Sequence, residues 1–232
     1  MRRVQRHLGT ACYHDTNMIG DQTNILGGEH PSLAALFATQ TTVSLLSIFA
    51  LYPQQAFFQR DLVEMTAGNL YLVQRELKRL ELSGLIIRRT WGRQVEYRVD
   101  VANSAVRTLL AALLHSFALR DPLADAIAQV GAVHLAFVYG PVLQGQARTG
   151  APIEMGIVYD GKRAGQVADA LAPLSQRLGT RVEPVPLTRE TQLDVGGTTT
   201  GSTIARALGS EKLWIVGDDD LFGRWLRSSG AR

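Results

Sequence analysis

From Pro31 onward the apolar residues recur at helical spacing. Pro31 and Ser32 open a pattern in which Leu33, Leu36 and Phe37 share a face, and Thr41 to Tyr52 continues it with Val43, Leu46, Phe49 and Ala50 similarly placed. Pro53 predicts the stop of that helix, because its ring cannot continue the hydrogen-bond ladder. Phe58 to Thr66 predicts a short amphipathic helix, Ala67-Gly68 a turn, and Asn69 to Ser83 a longer helix with Gly84 at the C-cap position. The period then changes from helical to alternating. Leu85, Ile86 and Ile87 form an apolar run, Val95, Tyr97 and Val99 alternate with polar residues, and Thr90-Trp91-Gly92-Arg93 lies between, which predicts two strands and a turn.

Helix, short helix, tight turn, second helix and β-hairpin, in that order, is the plan of a winged helix-turn-helix. At 100° per residue Leu70, Val73, Leu77 and Leu80 fall within a stripe about 80° wide, and Tyr71, Arg75 and Lys78 cluster near the opposite pole. One face predicts core; the other offers cations and an aromatic ring that can reach phosphates and the N7 and O6 acceptors of guanine. The candidate DNA contacts are Arg60, Asn69, Tyr71, Gln74, Arg75, Lys78 and Arg79 on the helices, and Arg88, Arg89 and Arg93 on the hairpin, the last three gripping flanking backbone or minor groove. Trp91 is expected to pack on the domain in preference to contacting a DNA sugar.

Asn103 to Leu119 predicts one further helix, with Ala105, Val106, Leu109, Leu110, Leu113, Leu114 and Phe117 on a wide apolar face suited to core packing or to pairing with a second copy. Arg120-Asp121-Pro122 is expected to end it. Beyond lie the apolar runs Val133 to Tyr139 and Ile153 to Tyr159, a helical pattern from Gly165 to Leu178, a strand over Thr180 to Val185, a short helix over Thr203 to Leu208, and a strand over Leu213 to Val216 before an acidic turn at Asp218-Asp219-Asp220. That alternation predicts a small α/β sheet domain. The expected division is a flexible tail over 1–30, the winged helix over 31–100, a connecting and dimerisation helix over 101–125 and the sheet domain over 126–232, an α+β fold overall.

Charge locates the binding surface. The 232 residues carry 24 Lys plus Arg against 21 Asp plus Glu, a net of only +3. Residues 1–30 balance, whereas Arg60 to Arg98 holds eight basic and five acidic residues and alone equals the whole excess. The apolar runs Val101 to Leu114 and Leu45 to Leu51 are interrupted or too short for the roughly 20 residues of a membrane span. The single cysteine, Cys12, excludes an internal disulfide, and the chain start lacks the apolar core of a secretory signal, so the cytoplasm is the expected compartment.

Asn69-Leu-Tyr-Leu-Val-Gln-Arg-Glu-Leu-Lys-Arg-Leu-Glu-Leu-Ser-Gly-Leu-Ile resembles the recognition helix of bacterial and archaeal proteins that join an ArsR-like winged helix to a minimal nucleotidyltransferase-like domain. Leu113-Leu-His-Ser-Phe-Ala-Leu-Arg-Asp-Pro-Leu is similar to the family's connecting helix. Ala136-Phe-Val-Tyr-Gly resembles the strand leading into its Gly-Ser turn, and Val182-Glu-Pro-Val and Leu213-Trp-Ile-Val-Gly-Asp resemble its later strands. The resemblance spans roughly 31–222 and implies both folds. It also implies departures at the catalytic positions. Gly140 is followed by Pro141 where the family has Ser, and Pro152-Ile153-Glu154 stands where an Asp-x-Asp pair holds Mg²⁺, leaving one carboxylate for a two-metal clamp. The resemblance therefore implies a domain that keeps the fold without nucleotide transfer, with Gly140 and Glu154 lining the pocket that a small-molecule or nucleotide effector could use.

Other motifs point nowhere stronger. Asp194-Val-Gly-Gly-Thr-Thr-Thr-Gly-Ser-Thr has the glycine spacing of a Walker A loop, but Ser202 stands where Lys must reach the phosphates, so a surface loop is expected. His7, His14, His30, His115 and His134 are scattered without a second metal ligand at helical spacing, and no Gly-x-Ser-x-Gly elbow occurs. Expected are a non-enzymatic, repressor-like transcriptional regulator, double-stranded DNA and a second copy of the chain as partners, and no cofactor, metal or membrane. The rival expectation is a nucleotidyltransferase targeted by its winged helix, and a weaker one is an antitoxin or adaptor whose winged helix contacts protein.

Overall fold

A computed structural model describes residues 32–160, 164–187, 205–207 and 209–229. The tail over 1–30, with Cys12, and the Asp194 to Thr203 loop lie outside the described residues. After a single 3₁₀ turn at Leu33–Leu36 come α1 (Gln40–Leu51), β1 (Phe57–Phe58), α2 (Gln59–Met65), α3 (Leu70–Leu82), β2 (Ile86–Trp91) and β3 (Gln94–Val99). Local chemistry sets these boundaries. The Thr39 hydroxyl accepts from the Thr42 N–H and caps α1, and the Asn69 carboxamide accepts from the Tyr71 N–H and caps α3. At the other end of α3 the Leu85 N–H reaches the Leu80 carbonyl and the Gly84 N–H the Glu81 carbonyl, with Gly84 at φ +74, the left-handed residue of a Schellman cap. Between α2 and α3, a Cβ added to Gly68 would lie 2.9 Å from Thr66 Oγ1 and 3.0 Å from Val73 Cγ2, so the turn closes only with glycine there.

β1 is a strand the alternation did not announce. It pairs antiparallel with β3, Phe57 facing Tyr97, and makes a three-stranded sheet in the order β1-β3-β2. Phe57 packs edge-on against Phe49 and Tyr52 of the α1 end, 6.2 Å between ring centroids in each case.

The expected single helix over Asn103–Leu119 is broken. α4 (Ser104–Leu113) passes into a π-type segment, Leu114–Ala118, where Ser116 leaves helical geometry at φ −129 and ψ −124. Arg120-Asp121-Pro122 then opens α5 (Arg120–Ala128) where an end was expected. Proline suits a first helical turn, where its missing N–H has no partner to lose, and Asp121 complements the helix dipole while accepting from the Ser116 hydroxyl at 3.1 Å.

The second sheet comprises β4 (Val133–Tyr139), β5 (Ile153–Tyr159), β6 (Val182–Pro186) and β7 (Lys212–Val216), in the order β6-β5-β4-β7. β5 and β6 are parallel, connected through α6 (Ala164–Leu178); the other pairs are antiparallel. The acidic turn expected at Asp218 to Asp220 is instead the start of α6's counterpart at the C-terminal side, α7 (Asp219–Ser229), whose Leu221 N–H is bonded by the Asp218 carboxylate at 2.7 Å.

Pro31–Arg232 forms one unit, and its largest apolar cluster runs without a break from α1 and α3 through Val106, Leu110, Leu113 and Phe117 to Ile153, Val167 and Leu213. The apolar face of Asn103–Leu119 is thus largely consumed within the chain; Ala105 and Leu109 stay outside it, Leu109 at 41% exposure. Polar contacts reinforce the junction: the Tyr52 hydroxyl donates to the Leu178 carbonyl at 3.4 Å, and the Gln55 amide donates to the Thr149 hydroxyl at 2.9 Å. A smaller aromatic cluster, Phe137, Trp214, Phe222 and Trp225, joins the other face of the four-stranded sheet to α7. Among the described residues no helix is long and apolar enough to cross a membrane.

Candidate nucleic-acid interface

α3 carries the first half of the candidate interface, and its buried arc differs from expectation at two positions. Val73, Leu77 and Leu80 are buried as the spacing predicted, but Leu70, at the first turn, is 51% exposed. Glu76 takes its place in the buried arc with a side chain only 1% exposed. The arc formed by Val73, Glu76, Leu77 and Leu80 has its opposite pole near Tyr71 and Leu82, with Lys78 and Arg75 flanking that pole by about 30° on either side. Tyr71 is 69% exposed, and Gln74, Lys78 and Arg79 are exposed as well.

A carboxylate buried without partners would cost several kcal/mol of solvation. Glu76 has four. Arg75 Nε and Nη2 approach Glu76 Oε1 at 3.0 and 2.9 Å, Arg79 Nη1 approaches Oε2 at 2.8 Å, and the Thr42 hydroxyl of α1 donates to Oε2 at 2.9 Å. Burial alone would raise the Glu76 pKa, but the Arg75 and Thr42 hydrogen bonds and the Arg79 charge outweigh it and hold the carboxyl below its usual range. Lys78 is shared with Glu81 at 3.1 Å. Asn69 spends its side-chain oxygen on the α3 cap, and Arg60 lies in the first turn of α2, exposed and 3.7 Å from Asp61.

The hairpin carries the second half. Arg88, Arg89 and Arg93 are exposed and, among the described residues, none has an acidic side chain within ion-pair distance. Trp91 ends β2 opposite Gln94 and is 61% exposed, so it does not pack on the domain as expected. Successive strand residues point to opposite faces. Ile86 and Arg88 share the face of Val99 and Tyr97, which the helices cover; Arg89 shares the outer face with Glu96 and Arg98. The three hairpin arginines therefore do not form one surface: Arg88 lies on the helix-bearing side, Arg89 on the other, and Arg93 at the tip.

The second candidate pocket, Gly140 and Glu154, is brought together at one end of the four-stranded sheet. Gly140 has φ +88, and a Cβ there would lie 3.4 Å from Glu154 Oε2. Arg206 forms an ion pair with Glu154, and Glu183 of β6 lies in register beside it. Tyr139 stands beside Glu154; burial first, and the Glu154 charge second, push its phenol up to about 12. Among the described residues no group of three or more His, Cys, Asp or Glu is placed to hold a metal.

Glu76, Thr42 and Arg206 were not among the residues singled out from the sequence. Glu76 with Arg79 at i+3 is a legible helix pair, but burial of that pair depends on Thr42, 34 residues earlier. A scan against protein-family models gives no match, and neither do searches of curated proteins and of solved structures.

Proposed function

We propose that this chain is a DNA-binding transcriptional regulator of repressor-like action, a winged helix-turn-helix followed by a degenerate nucleotidyltransferase-like domain that serves as a non-catalytic sensor or scaffold. The observation that carries this reading is the outward pole of α3. It projects Tyr71, Arg75 and Lys78 from a helix packed on the core by Val73, Leu77 and Leu80, next to a hairpin in which Arg88, Arg89 and Arg93 are exposed and have no acidic side chain within ion-pair distance among the described residues. A 13-residue helix spans about 20 Å, enough to lie along one major-groove half-site.

Double-stranded DNA is the partner, and a second copy of the chain completes a two-fold pair. Ala105, Leu109 and Ala112 recur at helical spacing on the exposed side of α4 and supply a surface for it. Loss of nucleotide transfer in the second domain is supported by Pro141, which has no N–H or hydroxyl for a phosphate, and by the ion pair that Glu154 makes with Arg206. Selection of sites from a random double-stranded DNA pool by the full chain tests the reading. A palindrome with half-sites about one helical turn apart is the expected result; a pool that remains unenriched contradicts it.

A further inference from the structure

We infer that Glu76 is a positioning residue for base recognition, holding the Arg75 guanidinium so that its free edge meets a guanine in the major groove. This inference rests on the DNA-binding reading. A guanidinium has five N–H donors. In Arg75 the Nε–H donates to Glu76 Oε1 at 3.0 Å and Nη2 lies 2.9 Å from the same oxygen, which leaves the Nη1 pair and the second Nη2–H uncommitted to the carboxylate. Those remaining donors form the end-on fork of the group, the shape that matches guanine O6 and N7.

An unrestrained arginine loses much rotamer freedom when it docks. Here that freedom is already reduced, because the carboxylate that holds Arg75 is itself held. Glu76 Oε2 receives Arg79 Nη1 at 2.8 Å and the Thr42 hydroxyl at 2.9 Å, and Thr42 Oγ1 lies 2.8 Å from Thr39 Oγ1, at the cap of α1. With the Thr42 proton given to Glu76, the Thr39 hydroxyl is the donor of that last bond. The chain Thr39, Thr42, Glu76, Arg75 links the base-reading edge to the first turn of α1. A carboxylate serving solubility would sit on the exposed side of α3; this one is in the core arc, with two arginines converging on it from the outward side.

The test uses the full chain and its selected duplex, with fluorescence anisotropy as readout. One guanine in the selected site should be required: its change to adenine weakens wild-type binding by at least about fivefold, the low end of the worth of a bidentate contact. Glu76→Gln should bring that ratio close to one while leaving affinity for a scrambled duplex within about twofold, and should add nothing in an Arg75→Ala background. Thr42→Val, which keeps every charge and removes only the hydroxyl on Oε2, should lower the ratio in the same direction. A loss of folded protein lowers affinity for all duplexes alike and leaves the ratio intact, so equal weakening of selected and scrambled DNA by both variants would overturn the positioning role while DNA binding stands. Wild-type protein that does not prefer the selected over the scrambled duplex would overturn the DNA reading and this inference with it.

Discussion

The two faces of the hairpin make a prediction that separates its arginines. A duplex lying against α3 meets the hairpin on the face that carries Ile86, Arg88 and Tyr97, or at its tip, and does not meet the outer face of Arg89. Each phosphate contact releases condensed counterion, and the slope of log affinity against log salt changes by about 0.9 per contact on B-form DNA. Arg88→Ala and Arg93→Ala should therefore each flatten the slope by about 0.9, and the pair by about 1.8. Between 50 and 200 mM salt the double variant should lose roughly 12-fold less affinity than wild type. Arg89, across the strand from Glu96, should leave the slope unchanged when replaced by alanine. Anisotropy titrations at four or five salt concentrations give the slopes directly. Equal flattening by Arg89→Ala and Arg88→Ala, or no flattening by any of the three, would refute the reasoning from strand facing.

Three further outcomes follow from burial and charge. Leu77→Ala should cost about 2–5 kcal/mol in urea unfolding, whereas Leu70→Ser at the exposed first turn of α3 should stay within about 0.5 kcal/mol. Because the folded-state pKa of Glu76 is depressed, its contribution to stability is fully present above the usual value of 4.5 and is lost as pH falls through the folded value. Wild-type protein should thus lose more stability on acidification below pH 4.5 than Glu76→Gln does, as seen in melting temperatures across pH 3–6. Tyr139, raised to about 12, contributes stability that is present below its usual value of 10.0 and lost as pH climbs towards 12; burial raises Tyr52 as well, so ultraviolet titration should show phenol absorbance that develops only well above pH 10, and Tyr139→Phe should remove part of it.

The elements easiest to read in the sequence were those whose pattern is set by one sheet. β4 and β5 coincide with the apolar runs Val133–Tyr139 and Ile153–Tyr159, because strands covered on both faces need near-continuous hydrophobic residues. The opposite holds for Asp121-Pro122 and Asp218 to Asp220. Acidic residues and proline interrupt a helix interior but favour its first turn, and only the packing of α5 and α7 decides between those roles. The outward pole of α3 was legible from spacing alone, since Tyr71, Arg75 and Lys78 lie opposite Val73 and Leu77 whatever surrounds them. Its buried side was not, because a carboxylate enters a core arc only when partners from elsewhere in the chain neutralise it, and the Thr42 contact is a tertiary one. Likewise, residues within the apolar face of Asn103–Leu119 are divided between the core and the surface by the break at Ser116, which periodicity does not register.

DNA binding by the exposed pole of α3 is the proposal from which the functional reading follows. Anisotropy of the full chain on its selected duplex, compared with the Arg75→Ala/Lys78→Ala variant at matched salt and matched folded fraction, tests it most directly. The variant should weaken binding by at least about fivefold, since a bidentate base contact alone is worth roughly 1–3 kcal/mol. An unchanged affinity in a folded double variant would contradict it.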